Sequence, residues 1–444
     1  MSYDLLQDPP RRLFFQYLIP SISATMVTSI YLLADSIMVG KGIGELAIAA
    51  LNLVLPLFNI LFGTGALFGV GGAVLFSVAT GNRDTDRARR YFTFSVLLNV
   101  AFMLFYLISG SLLLEPILRV LGATEATIQY AVDYATIILT GVPFFSFSFF
   151  LQAFIRNDQN PRLAMTAVIS GGVLNIVLDW IFIYPLQLGM AGAATATVIG
   201  TGLTCGILCT HFFRKENHLR PLFQKLRLRY GKEIFQYGFS SFFTEISSGI
   251  VIFVFNLQLL RYAGELGVTV YSILSNSSYI IVALSNGIAQ AAQPIIATNF
   301  GARLTDRIGQ VKACGLRTAA LEGGFFALLG LAFPLLVVYI FIHPTEPILQ
   351  IAPLAVRLYF LSFIGMALNI FYTNYFQATL QPSKALTICA LRGLILCVSL
   401  ALLLPIVLDV TGIWLAMPLA ETITLLVAIG LERLPKQKSS NITR

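Results

Sequence analysis

The sequence predicts an all-α integral membrane protein with twelve transmembrane helices, arranged as two six-helix bundles related by a parallel internal repeat. Three observations support this: the composition, the number of long apolar segments, and the distribution of Lys and Arg. Of the 444 residues, 57% are hydrophobic and only 11% are charged, with a mean hydropathy of +0.81. Since soluble domains carry about 25% charged residues, this composition excludes an ordinary soluble protein.

Twelve apolar segments are long enough to cross a bilayer, which takes about 20 residues of α-helix. They are predicted at residues 13–39, 47–79, 91–114, 127–155, 163–184, 192–213, 234–262, 268–298, 318–343, 353–379, 386–407 and 412–432.

The basic residues predict the orientation of these segments. Most of the 29 Lys and Arg residues fall in alternate connections, including Arg392 by this assignment. Cytoplasmic connections of membrane proteins are enriched in Lys and Arg. Both termini are therefore expected in the cytoplasm, and the net charge of +8 is explained by topology without a nucleic-acid partner.

An internal repeat divides the chain near its longest basic connection. When the second half of the sequence is aligned with the first so that Gly264 falls on Gly44, Thr305–Arg307 falls on Thr85–Arg87. Shifting this alignment by one position places Pro382 on Pro161. Repeats at a fixed period indicate duplicated structural units. Because each half holds an even number of spans, the repeats are expected to be parallel, related by an axis along the membrane normal. The predicted domains are residues 1–213 (N-lobe), 214–233 (basic cytoplasmic linker) and 234–444 (C-lobe).

Two acids lie deep in apolar segments of the first half. At 1.5 Å per residue, Asp35 lies about 35 Å and Asp179 about 26 Å from the cytoplasmic ends of their helices. Tyr31 precedes Asp35 by one turn, Asn175 precedes Asp179 by one turn, and Thr197 lies in the next span. Oxygen ligands of this kind suit a hard cation, and two acids in a dry pocket also favour proton binding. A hydrogen-bond network without an exchangeable ion is the alternative.

The second half contains weaker candidates. Glu245 is the deepest isolated carboxylate there, about 20 Å from Lys232 along its helix. Glu322 is expected to pair with Arg317 near the interface, and Glu421 follows small and apolar residues in the last span.

Several of these residues occur in motifs that resemble one family. They are Pro20, Tyr31 and Asp35–Gly40 in the first span, Arg156–Pro161 after the fourth, Asn175 and Asp179 in the fifth, and Gly192–Thr197 in the sixth. The chain resembles the multidrug and toxic compound extrusion (MATE) family of cation-coupled antiporters over nearly its whole length.

The resemblance implies roles for individual residues. Asp35, Asn175, Asp179 and Thr197 would form a sodium or proton site, Tyr31 would join its hydrogen-bond network, and Pro20 would bend the first span when protonation changes. Glu245 matches an acid used in some branches of the family, but Asn369 occupies the position of its acidic partner. This departure places the expected coupling site in the N-lobe.

The resulting hypothesis is a multidrug efflux antiporter of the bacterial inner membrane. It would export cationic or aromatic drugs in exchange for H⁺ and/or Na⁺ by rocking-bundle alternating access. No cofactor is expected apart from the coupling ion. The protein is expected to act as a monomer in the lipid bilayer.

Two other functions are alternatives to this hypothesis. A flippase for lipid-linked oligosaccharides or other lipids would share the two-bundle plan, but would be expected to hold a pyrophosphate with several cationic residues. A membrane-embedded enzyme is disfavoured because His211, His218 and His343 lie at segment ends with no metal or nucleophile spacing.

Overall fold

The computed structural model describes residues 4–434 and contains helices joined by short connections. The α-helices of the first half are α1 Pro10–Gly42, α2 Glu45–Gly81, α3 Thr85–Val120, α4 Ile128–Asn157, α5 Pro161–Ile183 and α6 Gly189–Cys209. Those that follow are α7 Leu228–Gly301, α8 Thr305–Ala332, α9 Pro334–Phe341, α10 Glu346–Phe360, α11 Ser362–Ala378, α12 Pro382–Ala390, α13 Leu396–Leu403, α14 Pro405–Leu408 and α15 Val410–Arg433.

Eleven continuous helical stretches within the described residues are long and apolar enough to span a membrane. The longest, α7, has 74 residues and changes direction at Gly264, whose φ of 61° and ψ of −156° are not helical. Only glycine adopts such angles readily, because it has no Cβ. The α7 helix therefore contains two spans, and the prediction of twelve spans is confirmed.

The ends of several helices differ from the predicted segments. The ninth span was predicted at 318–343, whereas α8 begins at Thr305 and ends at Ala332. Its first turns are polar, so hydropathy did not detect them. The prediction that Arg392 lies in a cytoplasmic connection is wrong. Arg392 lies in a π-helical turn, Leu391–Ile395, inside the helical run Pro382–Leu408.

The internal repeat is visible in the backbone. Four pairs of residues with positive φ recur at the offsets found in the sequence, and in two of the pairs the residue type differs. The pairs are Gly44 and Gly264, Arg83 and Arg303, Gln159 and Leu380, and Gly189 and Asp409. Non-glycine residues rarely adopt positive φ. Their recurrence shows that the turns between spans follow the same plan in both halves.

The chain divides into two compact units. Within the described residues, unit 1 comprises Ile19–Glu245 with residues 4–8, and unit 2 comprises Pro9–Leu18 with residues 246–434. The division thus falls inside α1 and α7. The predicted domain limits, at the 214–233 linker, stay a prediction.

Close helix packing in unit 1 depends on glycine. A Cβ added at Gly171 would lie 2.5 Å from the Gly200 carbonyl oxygen, and one added at Gly200 would lie 2.9 Å from the Asn175 Cβ. Small residues let helices in membranes approach closely. These two glycines bring α5 and α6 together beside Asn175.

The basic connection between α6 and α7 is held against α3. The Arg89 Nε donates to the Arg220 carbonyl at 3.1 Å, and the Thr93 hydroxyl accepts from the Leu222 amide at 2.7 Å. Arg90 donates to the Gln224 carbonyl at 3.2 Å. The side chains of α3 therefore satisfy backbone groups of the connection.

Two histidines converge on one carboxylate at the same end of unit 1. The buried Asp158, which follows α4, accepts from His211 Nε2 at 2.7 Å and from His218 Nδ1 at 2.8 Å. Its carboxylate also accepts from the His218 backbone amide at 3.0 Å. The sequence did not indicate this cluster, because Asp158 lies far before both histidines in the chain.

Candidate functional site

A buried polar cluster in unit 1 contains the acids predicted from the sequence. Asp35 on α1, Asn175 and Asp179 on α5, and Thr197 on α6 expose only 6%, 2%, 0% and 6% of their surfaces. Three helices thus contribute to one polar cluster inside apolar packing. Burial of polar groups is unfavourable unless they bind a partner, which makes the contacts of this cluster informative.

Direct contacts connect α5 to both neighbouring helices. The Asn175 amide donates to the Thr197 hydroxyl at 3.4 Å, and that hydroxyl donates to the Ala193 carbonyl at 2.9 Å. On the other side, a Cβ at Gly172 would lie 3.1 Å from the Tyr31 ring. The Tyr31 side chain therefore packs directly on the α5 backbone, one turn from Asn175.

The two carboxylates influence each other electrostatically. Asp179 lies within the electrostatic range of Asp35 and close to the Asn175 side chain, and Asp35 also acts on Tyr31. No ion pair among the described residues involves either acid. Two like charges in a buried site repel each other unless a proton or a cation lies between them.

Four buried acceptor oxygens of this cluster have no hydrogen-bond partner. They are one oxygen of Asp35, both oxygens of Asp179 and the Oδ1 of Asn175. Buried acceptors without a partner are rare and costly in folded proteins. Carboxylate and amide oxygens are ligands that hard cations prefer, and either carboxylate can instead take up a proton. The donor set therefore fits a sodium ion or a proton.

Tyr134 on α4 also belongs to this cluster, although the sequence did not single it out. Its side chain is 1% exposed, lies close to Thr197, and is within the electrostatic range of Asp35 and Asp179. A signal was present in the sequence, since Tyr134 is a polar-tipped residue on the otherwise apolar helix face formed by Ala131, Ala135 and Ile138.

A cavity in unit 1 opens onto part of this cluster. Tyr31, Asn175 and Thr197 line it together with Phe145, Ser148 and Phe149. The two phenylalanines come from the aromatic run at residues 144–150, so part of that run faces the cavity. Aromatic faces bind flat and cationic ligands through stacking and cation–π attraction.

Pro20 lies inside α1, which continues as a helix from Pro10 to Gly42. Proline lacks the backbone N–H and disturbs the helical hydrogen bonds of the preceding turn. The predicted role of Pro20 in bending this helix stays a prediction.

Glu245 and Asn369, the secondary candidates, belong to different units. Glu245 is the last residue of unit 1 and lies beside α2, where a Cβ at Gly63 would be 3.4 Å from the Glu245 Cβ. Asn369 lies in unit 2 and donates to Glu421 Oε2 at 2.7 Å. Glu421 also binds Arg392, with 2.8 Å between Arg392 Nη2 and Glu421 Oε1.

Glu322 was expected to pair with Arg317, but its observed partner is a serine. The Ser285 hydroxyl donates to Glu322 Oε1 at 2.9 Å. Because α8 begins at Thr305, Glu322 lies about 26 Å along its helix and not near its start.

Comparison with known proteins shows the family to which the chain belongs. The MatE family model matches the chain twice, at residues 20–181 and 240–403. The starts of the two matches are separated by the offset of the internal repeat, and together the matches cover most of the chain.

The chain belongs to the MatE family. It is 25% identical over 419 residues to the multidrug export protein MepA of Staphylococcus saprophyticus, covering 93% of this chain and 91% of that protein. It is 24% identical to MepA of Staphylococcus aureus, covering 96% and 94%.

A solved MATE transporter has the same fold. The structure, described as the outward-facing conformation of a multidrug resistance MATE family transporter, aligns with a TM-score of 0.90 at 24% identity, covering 97% of this chain and 96% of that one. The predicted fold class is confirmed, and this MatE protein is a multi-pass membrane transporter.

Proposed function

We propose that this MatE protein is a bacterial multidrug efflux antiporter that exports cationic or aromatic drugs in exchange for H⁺ and/or Na⁺. The observation that carries the proposal is the set of four unpartnered acceptor oxygens on Asp35, Asn175 and Asp179, next to a partly aromatic cavity. The relatives named as multidrug export proteins support the drug substrate.

In this proposal, Asp35 and Asp179 take up the coupling ion on one side of the membrane and release it on the other. A proton or a sodium ion supplies the positive charge that relieves their mutual repulsion. Asn175 contributes its amide oxygen, while Thr197 fixes the orientation of that amide through the 3.4 Å hydrogen bond.

The cavity gives these residues access to the substrate. Phe145 and Phe149 present aromatic surface, and Tyr31 lines the cavity while lying within the electrostatic range of Asp35. A change of charge at Asp35 therefore alters the field in the cavity. A bound drug cation is attracted when the acids are ionised and is released more easily when they hold a proton or sodium.

The two states are proposed to alternate by rocking of the two bundles, with Pro20 bending α1 between them. Both termini are proposed to lie in the cytoplasm. Moving one charge through the membrane potential yields about 2.3 kcal/mol per 100 mV. One cation entering per cycle is therefore of the right order of magnitude to drive export.

A lipid flippase is less well supported by the cavity. A pyrophosphate group requires cationic side chains, yet no Lys or Arg is among the residues that line this cavity in the described part of the chain. The buried Arg392 is already bound to Glu421.

The proposal is tested by efflux of an ethidium-like dye from proteoliposomes. A proton gradient or, at fixed pH, a sodium gradient is imposed, which also identifies the ion. We expect Asp35→Asn and Asp179→Asn to lose gradient-driven efflux. The matched control is Asp133→Asn, since Asp133 is an exposed acid of the same unit that bonds only with Gln129 in the described contacts. Normal coupling in both site variants would contradict the proposal.

A further inference from the structure

Unit 2 contains a buried ion pair that the proposed coupling site does not use. Glu421 on α15 is 1% exposed, and Arg392 projects from the π-helical turn Leu391–Ile395 with a side chain that is 13% exposed. Charged residues inside membrane proteins are costly and usually functional. The π-helical turns of membrane and soluble helices also occur frequently at functional sites.

The guanidinium of Arg392 binds both carboxylate oxygens of Glu421. Nη2 lies 2.8 Å and Nε 3.1 Å from Oε1, and Nε lies 3.3 Å from Oε2. Such forked contacts between arginine and a carboxylate are among the strongest hydrogen bonds in proteins. Glu421 is thus neutralised by a cation that belongs to the protein.

Asn369 completes the arrangement from α11. Its Nδ2 donates to Glu421 Oε2 at 2.7 Å and to the Glu421 carbonyl at 2.9 Å, while its Oδ1 is buried without a hydrogen-bond partner. An acid at position 369 could not donate in its ionised form and would repel Glu421. The amide at this position is therefore required by Glu421.

The packing of the helices holds these groups in place. A Cβ at Gly365, one turn before Asn369, would lie 2.9 Å from the Glu421 Cβ. The α11 and α15 helices are consequently in close contact at this level. The thiol of Cys397 donates to the Arg392 carbonyl at 2.7 Å, which satisfies one backbone acceptor of the π-helical turn.

We propose that Arg392 acts as the permanent counter-cation of unit 2 and prevents Glu421 and Asn369 from binding a coupling ion. Without the guanidinium, the two carboxylate oxygens of Glu421 would be left to bind a proton or a cation. A buried carboxylate beside an asparagine resembles the arrangement of Asp179 and Asn175 in unit 1. Arg392 thereby restricts ion coupling to unit 1, an inference that rests on the proposed function.

Tryptophan fluorescence can monitor this site, because the chain has only two tryptophans. Trp180 lies beside Asp179 in unit 1, and Trp414 lies on α15 two turns before Glu421. Trp180 is 56% exposed, so Trp180→Phe is expected to be tolerated and leaves Trp414 as the only emitter. The experiment uses full-length Trp180→Phe protein in detergent, titrated with NaCl at constant ionic strength or with acid.

With Arg392 present, we expect no saturable change in Trp414 emission. Adding Arg392→Met should create a saturable response to sodium or to protons, and further adding Glu421→Gln should remove it. Arg392→Lys, which keeps the charge, is the matched control and should stay unresponsive. A response with Arg392 present that Glu421→Gln abolishes would overturn the proposal, as would a folded Arg392→Met variant without any response.

A second measurement does not depend on the stability of the single variant. Arg392→Met combined with Glu421→Gln removes both charges, which is usually tolerated far better than removal of one partner. The number of cations exchanged per dye in proteoliposomes should equal that of the native protein. A loss of one cation per cycle would overturn the proposal. Absence of coupling in the native protein would instead refute the proposed function, whereas the tryptophan titration requires no transport.

Discussion

The Asn175 amide donates to the Thr197 hydroxyl at 3.4 Å, while the Asn175 Oδ1 is buried without a hydrogen-bond partner. The hydroxyl of Thr197 in turn donates to the Ala193 carbonyl one turn earlier. These two hydrogen bonds orient the Asn175 amide and leave its Oδ1 as an unpartnered acceptor within the cluster.

Thr197→Val should therefore weaken cation coupling without preventing folding. Loss of one such hydrogen bond costs about 1 kcal/mol, so the apparent cation affinity should fall by roughly fivefold to tenfold. The ion dependence of dye efflux measures this change. Thr195→Val is the control, because its hydroxyl bonds only to the Ala191 carbonyl on the same helix in the described contacts. Equal effects of the two variants would argue against the role of Thr197.

Gly200→Ala should destabilise unit 1, because the new Cβ would lie 2.8 Å from the Gly171 carbonyl oxygen and 2.9 Å from the Asn175 Cβ. Overpacking of this kind costs about 1–3 kcal/mol. The melting temperature in detergent should fall, together with transport activity. Gly206→Ala on the same helix meets nothing within 4 Å and should behave like the native protein. A Gly200→Ala variant of native stability would show that the α5–α6 contact is looser than described.

Tyr134→Phe should keep the packing of α4 and alter ion coupling. The substitution removes only the phenol oxygen, which is polar and close to Thr197, Asp35 and Asp179. We expect a native melting temperature and a shift of several fold in the cation concentration for half-maximal efflux. Tyr130→Phe, one turn earlier and partly exposed, provides the control. If neither variant changes the ion dependence, Tyr134 only fills space.

The attachment of the 214–227 connection should depend on pH. Hydrogen bonding to Asp158 raises the pKa of His218 from its ordinary value of 6.5, although burial opposes this. Burial raises the pKa of Asp158, but the hydrogen bonds from His211 and His218 outweigh it and the net pKa is lowered. Over the range from about pH 5 to about pH 9, Asp158 therefore stays ionised while His218 loses its charge as the pH rises.

The direction of this pH dependence follows from the raised pKa of His218. The contribution of His218 to the attachment of the connection is fully present below pH 6.5, which is the ordinary pKa of histidine. This contribution is lost as the pH rises through the higher pKa that His218 has in the folded protein. Hydrogen exchange of the 214–227 amides, corrected for the intrinsic rate, should be faster at about pH 8.5 than at about pH 6. His218→Gln should remove this difference and His343→Gln should not. A difference that persists in His218→Gln would rule out this histidine as its source.

The fold was predicted well because its main signals are local. Hydropathy detected twelve spans, and the constant offset between pairs such as Gly44 and Gly264 detected the repeat, so both need only sequence distances. The predicted start of the ninth span and the predicted position of Arg392 were wrong for a related reason, since both were inferred from local sequence alone. Hydropathy cannot distinguish a polar extension of a helix from a loop, and the rule that places Lys and Arg in cytoplasmic connections cannot recognise an arginine paired with a distant acid.

The candidate site was predicted in part. Asp35, Asn175, Asp179 and Thr197 stood out because polar groups are rare in their segments. Tyr134 did not, since a tyrosine on an apolar face usually fills the core, and its proximity to Thr197 depends on contacts between helices far apart in sequence. The contacts of Asp158 with its histidines and of Glu421 with its two partners also require tertiary structure, because the contacting residues are distant in the chain.

The most direct test of the central claim counts the cations that Asp35 and Asp179 exchange for drug. A dye gradient is imposed across proteoliposomes with equal ion concentrations and pH on both sides, and the opposite movement of H⁺ or ²²Na⁺ is measured. We expect dye flux to drive cation flux in the native protein and in Asp133→Asn. In the Asp35→Asn/Asp179→Asn double variant, dye flux should continue or slow without any cation flux. An unchanged ratio of cation to dye in the double variant would contradict the account.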